Sequence, residues 1–162
     1  MTQYWTRILF SGMAIGLVAT VTARCAMAPP KPDVVAELNK LNISTLPKTY
    51  TPEQIADIER VWDGPGQWFV RTGCFACHAV SVYGVKSLSP IGPDLALAVE
   101  DVKSRFGRSL EDFFKEPQGT MQMVLTDLIK LTPEQKTTAL AELHKAFDEY
   151  QKTRKAASTA SN

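Results

Sequence analysis

Residues 73 to 80 read Gly-Cys-Phe-Ala-Cys-His-Ala-Val, which puts two thiols, Cys74 and Cys77, and the imidazole of His78 within five consecutive positions. Four chemistries compete for that spacing. A structural zinc ion takes four ligands, and beyond these three the chain offers only Cys25 and His144. A thioredoxin-like redox pair belongs in a βαβ setting, which the helical patterning described below does not provide. A disulfide across two residues is strained and leaves the histidine without a role. Covalent haem attachment uses all three groups: each thiol adds across one vinyl group, and the adjacent imidazole is placed to ligate the iron.

A second axial ligand decides between carrying electrons and binding small molecules. Met121 and Met123, in Glu-Pro-Gln-Gly-Thr-Met-Gln-Met, lie 43 and 45 residues beyond His78. A flexible thioether in a Pro/Gly loop suits ligation, whereas a methionine at helical spacing is more often core. Met121 directly follows Gly119 and Thr120 and is the first candidate; Met123 is the second. His144 sits between polar neighbours in the middle of a helix and reads as a solvated surface histidine.

The elements that must position these residues are helical. Thr-Pro-Glu-Gln occurs at 51 to 54 and again at 132 to 135. In each copy Thr caps, Pro suits the first helical position, and Gln returns a hydrogen bond three residues on. The first copy opens a helix with Ile55, Ile58 and Trp62 on one face. The second opens one with Leu140, Leu143, Phe147 and Tyr150 on one face. Asp-Gly-Pro-Gly at 63 to 66 interrupts the first helix, which resumes through Trp68 and Phe69 up to the cysteines. Leu95, Val99, Val102 and Phe106 share a helical face that stops at Gly107. A further helix starts at Ser109 with Asp112 completing the cap, and stops before Pro117. No alternating strand pattern appears, so the fold class is all-α, with four or five short helices and long loops.

The N-terminus reads as an export leader. Met1 to Arg7 carries one cation and no acid, and residues 8 to 23 form an uncharged run of 16 residues, short of the ~20 expected of a spanning helix. Two outcomes stay open, a cleaved signal peptide over residues 1–28 or a retained membrane anchor over residues 8–28. Either one delivers the remainder outside the cytoplasm, to the periplasm. Cys25 follows Arg24, which does not suit a lipoprotein site, and belongs to the leader. Residues 29–50 are rich in proline and polar side chains and read as a linker with a short helix from Val34 to Leu41. Residues 151–162 read as a flexible basic tail. The formal charge of +1 is unevenly spread: residues 51–150 carry 15 acidic and 10 basic side chains, a net −5, while the tail carries +3. No cluster of Lys and Arg forms a nucleic-acid footprint.

From about Thr51 to Tyr150 the chain resembles a class I c-type cytochrome, a monohaem domain. The resemblance rests on the order of its parts: an N-terminal helix, Cys-Phe-Ala-Cys-His, a Gly-Pro-Asp-Leu stretch, a Pro-Gln-Gly-Thr-Met loop and a C-terminal helix. It implies one covalent haem c at Cys74 and Cys77, His78 as proximal and Met121 as distal iron ligand, and the Pro93 carbonyl bonded to His78. It also implies that the Trp62–Phe69 region packs against Leu143–Phe147. The expected function is single-electron carriage between redox partner proteins, either free or as a relay subunit, without separate catalysis. Two alternatives carry different tests. The cytochrome subunit of a membrane enzyme such as a nitric oxide reductase would keep its apolar segment and co-purify with a membrane partner. A haem sensor or peroxidase would have an open iron site.

Overall fold

The computed structural model describes residues 33–41 and 43–160. The expected export leader with Cys25 and the start of the expected linker lie outside the described residues. Seven α-helices follow in chain order: α1 (Val34–Asn39), α2 (Pro52–Val61), α3 (Gln67–Arg71), α4 (Ala98–Phe106), α5 (Leu110–Lys115), α6 (Thr120–Met123) and α7 (Pro133–Ala160). Single 3-10 turns at Cys74–Ala76, Ser81–Tyr83 and Leu95–Leu97 fill the space between α3 and α4. The described residues contain no strand, only an isolated bridge between Val80 and Val85. The architecture is all-α.

Local chemistry sets the helix ends. Thr51 Oγ1 accepts from the Gln54 N–H at 3.2 Å, and the Gln54 side chain accepts from the Thr51 N–H at 2.9 Å. Thr132 and Gln135 repeat that reciprocal pair at the start of α7. Ser109 caps α5 by accepting from the Asp112 N–H. Gly107 ends α4 in the left-handed conformation, φ +65°. The break between α2 and α3 is bridged by Arg71, which donates to the Trp62 carbonyl and the Asp63 carboxylate and lies over the Trp62 ring, 5.0 Å from its centroid.

The core runs through Ile58 of α2 and Trp62 at its C-cap, Phe69 and Val70 of α3, Phe113 of α5 and Leu143 of α7. It also takes in Val34 and Leu38 of α1, both nearly inaccessible. Much of the expected linker is thus packed structure: α1 presents an i, i+4 apolar pair that α2 covers, and Ile43 beyond it is buried. Two apolar side chains one helical turn apart bury enough surface to hold so short a helix, which a composition rich in Pro and Lys conceals.

Two features of α7 depart from expectation. The helix continues over residues 151–160, where the tail was expected to be flexible. That stretch contains neither Gly nor Pro, Gln151 reaches Glu100 and Lys152 pairs with Glu149. Its deepest residues are Ala139, Leu143 and Ala146, with Leu140, Phe147 and Tyr150 half-buried beside them. The helix lies on the Leu95–Leu97 turn, α4, the Ser81–Tyr83 turn and α5. The two alanines permit that approach because they add almost no thickness. The Trp62–Phe69 region adjoins α7 at a groove lined by Trp68, Arg71, Glu142 and Lys145. No described helix is long and apolar enough to cross a membrane.

Candidate functional site

α3 stops at Arg71, and Gly73 reverses the chain with φ +79°, a conformation that side-chain-bearing residues rarely adopt. A Cβ at position 73 would also lie 2.3 Å from Ile43 Cδ1, so the segment after α1 closes directly over this turn. The following turn is drawn tight by the Ala76 N–H donating to the Gly73 carbonyl at 3.0 Å and the His78 N–H donating to the Cys74 carbonyl at 3.1 Å. Phe75 and Ala76, between the cysteines, are buried, while Cys74, Cys77 and His78 are only partly so. The two intervening residues therefore root the motif in the core; Cys74 packs against that core as well, while Cys77 and His78 stand nearer the surface.

Both cysteines are free thiols. Burial pushes the Cys74 thiol up to about 11, against the opposing influence of the Thr72 hydroxyl. That hydroxyl donates to the Trp68 carbonyl at 2.7 Å and lies 3.3 Å from Cys74 Sγ. Either atom can donate in the Thr72–Cys74 pair, and it is donation from the hydroxyl to sulfur that opposes the effect of burial. Burial raises the Cys77 thiol as well.

His78 Nδ1 lies 2.7 Å from the Pro93 carbonyl oxygen. A carbonyl only accepts, so Nδ1 carries a proton and donates it, which leaves the Nε2 lone pair of the neutral ring available to a metal. The backbone of Gly92 lies against the ring. A Cβ there would fall 2.3 Å from Cε1, 2.4 Å from Nδ1 and 2.7 Å from Nε2. Glycine at 92 is a steric requirement of this ring position.

The strip carrying Gly92 and Pro93 is tied to the motif by four backbone bonds. Leu88, Ser89, Gly92 and Leu95 donate to the carbonyls of Phe75, Ala76, Cys77 and Ala79 at 2.9 to 3.0 Å. Asp94 completes the frame, its Oδ1 accepting from the N–H groups of Ser81 and Ala96.

The structure thus brings Cys74, Cys77, His78 and Pro93 together. Met121 and Met123 lie on the one-turn helix α6 rather than in an open loop. Two positions apart on a helix face nearly opposite ways, and Met121 packs against the core while Met123 is 52 % exposed. His144 is at the surface but not merely solvated, with Nε2 2.6 Å from Glu111 Oε1 of α5. Sequence reasoning missed Gly92, Thr72 and Ile43. The glycines flanking the motif were the available signal for two of these contacts.

Among the described residues, no group of three or more His, Cys, Asp or Glu side chains could hold a metal ion. Within the motif only His78 presents a nitrogen suited to a metal, so such a metal needs donors of another kind. A cleft of about 290 Å3 between α2 and residues 85–88 reaches Phe75 from behind, and none of Cys74, Cys77 and His78 lines it. Comparison with protein-family models, curated proteins and solved structures finds no match to this chain.

Proposed function

We propose that this chain is an exported monohaem c-type cytochrome that carries single electrons between redox partners. Cys74 and Cys77 are the thioether positions, His78 the proximal iron ligand and Met121 the distal one. The observation that carries the proposal is the His78–Pro93 hydrogen bond beside two free thiols. A bound haem supplies a one-electron iron couple.

The protein's own residues do the rest. The Pro93 carbonyl fixes the imidazole orientation and raises its basicity. Gly92 leaves room for the ring in that orientation. Phe75 and Ala76 anchor the turn so that both sulfurs are presented from one rigid segment. Met121, the methionine turned toward the core, offers a soft thioether that favours the ferrous state, and Pro93 and Met121 belong to separate segments.

The test is intact-protein mass spectrometry of the full chain matured with a bacterial haem-attachment system. One added haem that survives acidified organic extraction, and is lost in Cys74→Ala/Cys77→Ala, is the expected result. A haem that extracts freely from the wild type contradicts the proposal.

A further inference from the structure

Ile91 is the most exposed large hydrophobic side chain among the described residues, at 78 %. Water contact of that extent on a flexible loop would be unremarkable, since isolated surface apolar residues are common. This loop is not free to move independently. Ser89 and Gly92 on either side donate to Ala76 and Cys77, and the Ile91 N–H itself donates to the Ser89 carbonyl at 2.7 Å. Pro90 and Pro93 flank it and are exposed as well. The side chain is held out from a preordered backbone, so fixing it in a complex costs little conformational entropy.

The segment that carries it is nearly uncharged. From Thr72 to Pro93 the only Lys, Arg, Asp or Glu is Lys86. Lys86 is turned to Asp57 of α2, Nζ to Oδ2 2.8 Å. Asp94, next along the chain, has its carboxylate engaged by two backbone N–H groups. A partner that brought charged side chains onto this surface would desolvate them without finding counter-charges, a penalty that selects against such partners. The net −5 of residues 51–150 therefore lies outside this stretch.

We propose that Ile91 is the central apolar anchor of a docking surface on which an electron-transfer partner protein seats an uncharged, apolar face. The proposal rests on the electron-carrier reading above. The surface adjoins the redox site: Ile91 directly precedes Gly92, whose backbone lies against the His78 ring. Docking here is driven by desolvation and is therefore nearly independent of ionic strength, unlike charge-steered encounter.

A second copy of the protein is a suitable probe, because this face matches itself in lacking charge. Electron self-exchange between oxidised and reduced haem-loaded protein is measured by NMR line broadening at low and high salt. Three proteins are compared: wild type, Ile91→Lys, and Thr153→Lys, which adds the same charge at an exposed position in the C-terminal part of α7. Wild type is expected to be nearly salt-independent. Ile91→Lys is expected to exchange roughly tenfold more slowly at low salt and to recover part of that loss at high salt, with Thr153→Lys close to wild type. Equal rates and equal salt slopes for the two lysine variants would overturn the docking surface alone. A chain that carries no covalent haem would overturn the electron-carrier reading and the docking surface with it, and mass spectrometry separates that outcome from the first.

Discussion

The stretch around His78 and the stretch around Met121 are built in opposite ways. Residues 72–95 hold Phe75, Ala76, Val80 and Val85 fully buried and are cross-tied by backbone hydrogen bonds, with two glycines occupying places where a side chain would collide. Of residues 115–130 only Leu125 is buried. Gly119 there adopts φ +61°, ψ −143° with open space around it, and α6 runs straight into a π turn at Val124–Leu128. Such turns are rare and frequently accompany functional sites. The contrast separates the two proposed iron ligands. The imidazole is oriented by the chain itself, whereas the thioether rides on a segment with few contacts that resist its movement.

The largest effect should come from breaking the rigid side. Gly92→Val places branched carbon atoms where the His78 ring lies. It is expected to destabilise the protein by about 3 kcal/mol through overpacking and to displace the ring from Pro93, reducing haem incorporation. Denaturant unfolding and haem yield check this together. A fully stable Gly92→Val protein with unchanged haem content would show that the ring is not confined by residue 92.

The sparsely buried side predicts a smaller, asymmetric result. Met121→Ala should remove the sulfur-to-iron absorption of the oxidised protein and cost about 1–2 kcal/mol for the partly buried side chain. Met123→Ala should preserve the absorption and stay within about 0.5 kcal/mol of wild type, as an exposed substitution does. The reverse spectral pattern would transfer the ligand role to Met123.

The smallest effect concerns the surface link from α5 to α7. Glu111 has a carboxyl held below its ordinary value of 4.5, first by a backbone N–H at the start of α5 and then by His144. A lowered folded-state value means that the carboxylate stabilises the fold at pH above the ordinary carboxylate range. That contribution is lost as pH falls through the lowered value. Wild type should therefore exceed Glu111→Gln by about 0.5 kcal/mol at neutral pH, an exposed pair being screened by solvent. The difference should shrink as pH falls through the lowered Glu111 value and vanish once the carboxyl is protonated in the folded state, as followed by thermal unfolding across a pH series.

Much of this was legible in the sequence because it was local. The two Thr-Pro-Glu-Gln caps, the Asp-Gly-Pro-Gly break, the Gly107 stop and the Ser109 cap each act through hydrogen bonds or steric limits spanning a few residues. The contacts that escaped notice join segments far apart in the chain. Nothing near Ile43 indicates that it will lie over Gly73, thirty residues on, and nothing near Gly92 indicates that an imidazole will occupy the place of its side chain. The buried face of α7 was legible in part, Leu143 being buried as expected, and the rest was missed for a related reason. Hydrophobic periodicity points to the largest side chains, Leu140 and Phe147, while close packing on the Leu95–Leu97 turn selects the smallest, Ala139 and Ala146. Residues 151–160 show that a basic, polar composition is equally compatible with an exposed helix.

The central claim is that the chain itself holds His78 with its proton on Nδ1 and Nε2 free. Long-range 1H–15N NMR of the full-length protein observes this directly. The predicted result is a slowly exchanging proton on Nδ1, coupled across a hydrogen bond to the Pro93 carbonyl, and no proton on Nε2. With the ring neutral, a proton on Nε2 in place of Nδ1, or an Nδ1 proton in free exchange with solvent, would contradict it.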